Sequence, residues 1–108
     1  MSYNRPLNPS NLKNTITTKK IIEDYQVLPN DCYIGVESTG PVTITLPPAP
    51  IEGKWIIIKL EMPAPIGTKK ITLTTSDSSL IDGVDNKTMK QPYEAIQLIY
   101  RGLAWHRL

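Results

Sequence analysis

Val42-Thr43-Ile44-Thr45-Leu46 alternates without exception and runs straight into Pro47-Pro48-Ala49-Pro50. A period of two puts Val42, Ile44 and Leu46 on one face and Thr43 and Thr45 on the other, which is the pattern of a strand buried on one side. Successive prolines lack the N–H groups a sheet ladder needs, so the quartet ends the strand and turns the chain. Glu52-Gly53 leads into residues 54–61 (KWIIIKLE), where Trp55-Ile56-Ile57-Ile58 is apolar on both faces. A strand of that kind must be covered twice, either from a central position or by another subunit.

The rest of the chain follows the same grammar. Ten prolines, fourteen isoleucines and eleven threonines, with no phenylalanine, favour short strands over helices. Strands are expected at 32–37, 42–46, 54–61 and 70–75, the last with Ile71 and Leu73 inward. Residues 62–68 read as a loop, Ser76-Asp77-Ser78-Ser79 as a turn, and Leu80-Ile81 as a brief apolar pair ended by Asp82-Gly83. Residues 84–92 read as a polar excursion. The chain then ends in a hairpin, 93–101 and 104–108, joined tightly through Arg101-Gly102-Leu103. In its first strand Ile96, Leu98 and Tyr100 share a face; in its second Trp105 faces opposite to Ala104, His106 and Leu108. The expected class is all-β, a small antiparallel β-sandwich, barrel or β-prism.

At 108 residues this is one domain, and residues 25–108 supply its core. Residues 1–24 read as an extended arm, because the Arg5-Pro6, Asn8-Pro9 and Pro9-Ser10-Asn11 steps favour extended or turned backbone. The arm is basic: Arg5, Lys13, Lys19 and Lys20 have no acidic residue before Glu23, although the whole chain carries only +2. That total is too balanced for a nucleic-acid partner, and two lysine pairs, Lys19-Lys20 and Lys69-Lys70, without interleaved aromatics add little. No apolar run approaches the ~20 residues of a membrane span, and the polar N-terminus has no export signal, so neither a membrane nor a secretory route is expected.

Chemistry-bearing residues are sparse. One His, one Cys and ten scattered carboxylates leave few ways to build a catalytic or metal constellation. Asp82-Gly83-Val84-Asp85-Asn86, with Asp77 nearby, is the densest oxygen cluster, yet it lacks the ligand spacing of a calcium loop and reads as a turn. His106 has no second His or reactive Cys near it in sequence, and Cys32 reads as a small buried hydrophobe without a disulfide partner. No phosphate-cradling glycine loop is present. The expectation is a non-enzymatic protein with no catalytic residue, cofactor or metal. Trp55, Ile57, Tyr93, Tyr100 and Trp105 are the candidates for core or oligomer interface. A small uncross-linked domain with apolar residues on more than one strand face points to self-association.

Residues 33–108 resemble a small β domain that recurs in bacteriophage virion appendages: tail fibres, head fibres and capsid decoration proteins. The likeness is carried by an ordered set. Tyr33-Ile34-Gly35-Val36 comes first, then Gly40-Pro41-Val42-Thr43-Ile44-Thr45-Leu46-Pro47-Pro48-Ala49-Pro50, then Gly53-Lys54 opening an isoleucine-rich strand to Lys59. Ile71-Thr72-Leu73-Thr74-Thr75, the Leu80-Ile81-Asp82-Gly83 turn, Tyr93, Ile96-Gln97-Leu98-Ile99-Tyr100, Gly102 and Trp105 complete it. The turn at 76–79 lacks the usual glycine, and 87–92 is less regular than the pattern. The resemblance implies a structural module of the virion, made in the host cytoplasm. It implies a homotrimer, with the N-terminal arm bound to the major capsid protein or another virion protein. Without a shaft, coiled coil or repeat in the chain, a capsid decoration, cement or short head-fibre protein is the expected role. A tail-fibre or adaptor module that binds a host surface glycan through Trp55, Trp105 or Tyr93 is the alternative.

Overall fold

In the computed structural model, residues 15–38, 40–63 and 70–108 are described. Arg5 and Lys13 of the expected arm, and most of the loop expected at 62–68, lie outside them. Nine strands form among the described residues: β1 (Thr18–Ile21), β2 (Tyr25–Gln26), β3 (Tyr33–Val36), β4 (Val42–Leu46), β5 (Trp55–Leu60), β6 (Ile71–Thr75), β7 (Asn86–Met89), β8 (Ala95–Arg101) and β9 (Ala104–Arg107). No helix occurs among the described residues, and the all-β class stands.

From β1 to β6 successive strands alternate between two sheets. One sheet has the order β1-β3-β5-β8-β9 and the other β2-β4-β6-β7. Because the chain crosses to the opposite sheet after every strand up to β6, it returns to each sheet in the same direction. The pairs β1/β3, β3/β5, β2/β4 and β4/β6 are therefore parallel. Only β5/β8, β6/β7 and β8/β9 are antiparallel. The sandwich layout agrees with expectation, but both sheets are mixed, not antiparallel. The physical reason is that a half-buried alternation reports which side of a strand is covered and carries no information about its direction.

Between the sheets lies one apolar core. Ile34 and Val36 of β3, Ile56, Ile58 and Leu60 of β5 and Ile96 and Leu98 of β8 meet Ile44 and Leu46 of β4, Ile71 and Leu73 of β6 and Met89 of β7. Trp105 is fully buried and meets Tyr100 edge to face, with ring centroids 5.3 Å apart and planes at 62°. Its indole N–H has no hydrogen-bond partner among the described residues, and the ring is held by packing. The predicted hairpin is present, with Arg101 paired to Ala104 across Gly102-Leu103. Both loop residues have positive φ, 65° and 64°, the requirement of a type I′ turn.

Three further differences from the sequence reading are local. Thr18–Ile21, placed in the arm, is the edge strand of the five-stranded sheet, so the sheet begins before residue 25. Asn86–Met89, read as a polar excursion, is β7, whose one fully buried side chain is Met89. A polar strand at a sheet edge shows little alternation, and the polarity itself protects the open edge from further pairing. Cys32, expected to be buried, is only half-buried, with its Sγ 3.9 Å from the Asn30 carbonyl.

Candidate functional site

Residues paired across neighbouring strands project to the same side, so the registers define what each sheet shows on its outer face. On the five-stranded sheet one outward row is Thr18, Tyr33, Ile57 and Gln97. The next row is Trp55, Ile99 and His106, and on the other side lies Lys20, Gly35, Lys59 and Ala95. Tyr33, Trp55, Ile57 and Ile99 are half-buried by their neighbours alone, and no described strand covers them. The doubly apolar strand is thus central in its sheet, and its second face, Trp55 and Ile57, remains at the surface of one chain.

The polar border of this patch is ordered. Tyr33 donates its hydroxyl to Glu61 Oε2 at 2.5 Å, reaching along β3 past Gly35. A Cβ at position 35 would run into the Glu61 carboxylate, so the glycine is what lets that side chain lie across the sheet. Burial, followed by the hydrogen bond and charge of Glu61 and the charge of Glu37, pushes the Tyr33 phenol from 10.0 up to about 12. Lys59 donates from Nζ to the Tyr93 carbonyl at 3.0 Å. Tyr93 is 54% exposed and has φ of 55°, a backbone region that bulky side chains avoid.

The other outer face is different in kind. On the four-stranded sheet one row is Gln26, Thr45, Thr74 and Asn86 and the other is Thr43, Thr72 and Thr88. Every outward position carries a hydroxyl or an amide. Gln26 folds over the sheet edge, donating from Nε2 to the carbonyls of Val27 at 3.1 Å and Thr45 at 3.2 Å.

The remaining sequence candidates fall into place around these faces. Tyr100 and Trp105 belong to the core, whereas Trp55 and Ile57 belong to the outer patch and Tyr93 stands at its border. Lys19 and Lys20 are exposed on β1, with the Lys19 ammonium 5.8 Å from the centroid of the Tyr25 ring. Tyr25 donates to Asp31 Oδ2 at 2.6 Å, and burial together with Asp31 pushes its phenol up to about 12. Tyr33, Glu61 and Ile99 were absent from the sequence candidates. The signal for Ile99 was available, since it is the apolar residue out of phase with Ile96, Leu98 and Tyr100; the Tyr33–Glu61 contact spans 28 positions and left no local trace.

The groups with reactive potential serve the scaffold. His106 is exposed and donates from Nε2 to the Arg101 carbonyl at 3.0 Å. Asp82 accepts from the Arg107 N–H at 3.0 Å and lies 3.9 Å from Lys87 Nζ, bracing β9 against the turn before β7. Asp77 accepts from the Ala49 N–H at 2.7 Å, and this bond, with help from Ser79, holds its carboxyl below the usual range. Among the described residues no three His, Cys, Asp or Glu side chains group as a metal site would require. No protein-family model matches the chain, and the search of curated proteins found no match.

Proposed function

We propose that this chain is a non-enzymatic structural protein that associates with copies of itself through the outer face of its five-stranded sheet. In this reading it is a trimeric capsid decoration, cement or short head-fibre protein of a bacteriophage virion. Its N-terminal residues anchor it to the major capsid protein or another virion protein. The observation that carries the self-association is the patch of Tyr33, Trp55, Ile57 and Ile99, which sits on the central strands and is left without a covering layer among the described residues. Interfaces favour aromatic and large aliphatic side chains at their centre with a polar rim, and Glu61, Lys59, Gln97 and His106 supply such a rim. The virion assignment draws on the ordered resemblance of residues 33–108 to appendage domains.

Since β1 begins at Thr18, the informative truncation removes residues 2–14 and leaves the sheet whole. That variant is expected to keep its oligomeric mass and to lose incorporation into phage particles. Normal incorporation would overturn the anchoring role.

A second reading, a tail-fibre or adaptor module for a host surface glycan, draws on Tyr93, an aromatic ring held outward in a strained turn. Binding to a glycan panel that disappears in Tyr93→Ala would favour it. Trp105 is buried and has no part in such a surface.

A further inference from the structure

At the end of the five-stranded sheet where β5 starts and β8 stops, two features lie side by side. The first is a pocket of about 390 Å³ lined by Pro29, Pro47, Pro48, Pro50, Ile51 and Lys54. Its walls are stiff, because proline has almost no backbone freedom at φ. Lys54 donates from Nζ to the Asp31 carbonyl, so its ammonium is already engaged, and Ile51 is 85% exposed. The second feature is the tip of the β8/β9 hairpin. It is tied to the rim of the pocket by the Gly102 N–H donating to Glu52 Oε1 at 3.1 Å and the Gly53 N–H donating to the Tyr100 carbonyl at 2.8 Å. Leu103 at that tip is 81% exposed and does not line the pocket of its own chain. Ile51 and Leu103 are the two most exposed large apolar side chains among the described residues.

Leu103 is also strained. Its φ of 64° is what the turn demands, at a place where glycine or asparagine is the ordinary choice. A leucine there costs stability, and at this exposure it gains little packing within its own chain. What the strain achieves is an apolar side chain held outward at the apex of a hairpin. The flanking charges of tip and pocket are opposite. Arg101, exposed on the same side of β8 as Ile99, stands beside the tip, and the exposed Glu52 stands on the rim of the pocket. Neither forms an ion pair among the described residues. The outer patch adjoins both, since Trp55 and Ile99 are one residue along from the Tyr100 N–H, which donates to the Lys54 carbonyl at 2.8 Å. Tip and pocket thus continue the face proposed for self-association.

We infer that Leu103 of one copy of the chain seats in the proline-lined pocket of a neighbouring copy, against Ile51 of that copy and with Arg101 facing its Glu52. Each copy then gives one tip and receives one, a head-to-tail contact of the kind that closes into a ring. Removing two exposed apolar side chains from water drives the contact, and the facing charges fix its register. The tip already has the shape it needs, so little freedom is lost on docking. This inference deepens the proposed self-association and rests on it, and it is independent of the virion assignment.

Asparagine tolerates positive φ, so Leu103→Asn separates the seat from a merely structural role. It is expected to weaken self-association by about tenfold in sedimentation, while the denaturant midpoint of the dissociated chain stays the same or rises. Association as strong as the parent's would overturn the seat, and so would a lowered midpoint, which would show that Leu103 packs within its own chain. A second measurement uses the full chain with Cys32→Ala throughout. Chains carrying Leu103→Cys are mixed with chains carrying Ile51→Cys and mildly oxidised; both positions are exposed, so the core stays intact. An interchain disulfide between positions 103 and 51 is expected, identified by mass spectrometry of the joined peptides. Mixing Leu103→Cys with Thr72→Cys, on the outer face of the other sheet, is expected to give none. Equal yields in the two mixtures, or no disulfide between 103 and 51 in a chain that still associates, would refute the seat and leave the self-association standing. A parent chain that is monomeric at every concentration would refute both.

Discussion

The outer faces of the two sheets are built on the same alternating strands and have opposite characters. In β4 and β6 the residues out of phase with the core are Thr43, Thr45, Thr72 and Thr74; in β5 and β8 they include Trp55, Ile57 and Ile99. Threonine suits a strand because it is β-branched, and its hydroxyl keeps the surface wet. Isoleucine and tryptophan suit a strand equally well and leave apolar area at the surface. The backbone is thus indifferent to the choice, and under the proposed self-association the difference between the faces reflects what each is to meet: solvent on the threonine side, another copy of the chain on the other.

The largest expected effect tests that contrast directly. Ile57→Glu places a charge at the centre of the apolar patch and is expected to weaken self-association by at least about 30-fold, the scale of a central interface residue at about 2 kcal/mol. Thr72→Glu, at the equivalent outward position of the other sheet, is expected to leave the mass unchanged. Sedimentation of the two variants over a concentration series reads the difference; equal behaviour would erase the distinction between the faces.

Next in size is a comparison within one strand. Ile58 is fully buried between the sheets, and Ile58→Ala is expected to cost about 2–5 kcal/mol of chain stability through lost burial and a cavity. Ile57→Ala, one residue along and outward, is expected to cost the isolated chain less than about 1 kcal/mol, with its main consequence on association. Denaturant unfolding at low protein concentration separates the two. A large loss from Ile57→Ala in the monomer would mean that the outer patch is covered within one chain.

A smaller effect concerns pH. Tyr33 and Tyr25 both have phenols pushed from 10.0 up to about 12, so their neutral forms are the ones the fold favours. The sign follows from linkage: the stabilisation is fully present below pH 10 and is lost as pH rises from 10 through 12. Thermal midpoints should fall across that window, and less steeply in Tyr33→Phe with Tyr25→Phe. A midpoint insensitive to the double substitution would count against both hydrogen bonds.

Smallest of all, Gly35→Ala is expected to displace the Glu61 carboxylate and break its bond to Tyr33, at about 1 kcal/mol for one exchanged hydrogen bond. Its phenol should then titrate closer to 10. Retention of the high value would show that Glu61 is not its partner.

Much of the fold could be read from the chain because the deciding signals were local. Val42–Leu46 was bounded to the residue by its alternation and the prolines after it. Trp105 was placed opposite to His106 by period alone, and the structure puts Trp105 in the core and His106 outside. Strand direction was not legible, since the same half-buried pattern serves parallel and antiparallel neighbours. Neither was β7, in which Asn86, Lys87 and Thr88 hide a strand behind a polar edge. As for the candidate face, Trp55 and Ile57 were visible as apolar residues out of phase. The companions Tyr33 and Glu61 become neighbours only through the β3/β5 register, a tertiary fact.

The account's central claim is that the outer face of the five-stranded sheet joins copies of this chain, and the most direct test is the solution mass by light scattering. The 108-residue chain is expected at three times its 12.1 kDa mass, and the Ile57→Glu variant at the mass of one folded chain. A parent chain that stays monomeric at high concentration, or a variant with the same mass as the parent, would contradict it.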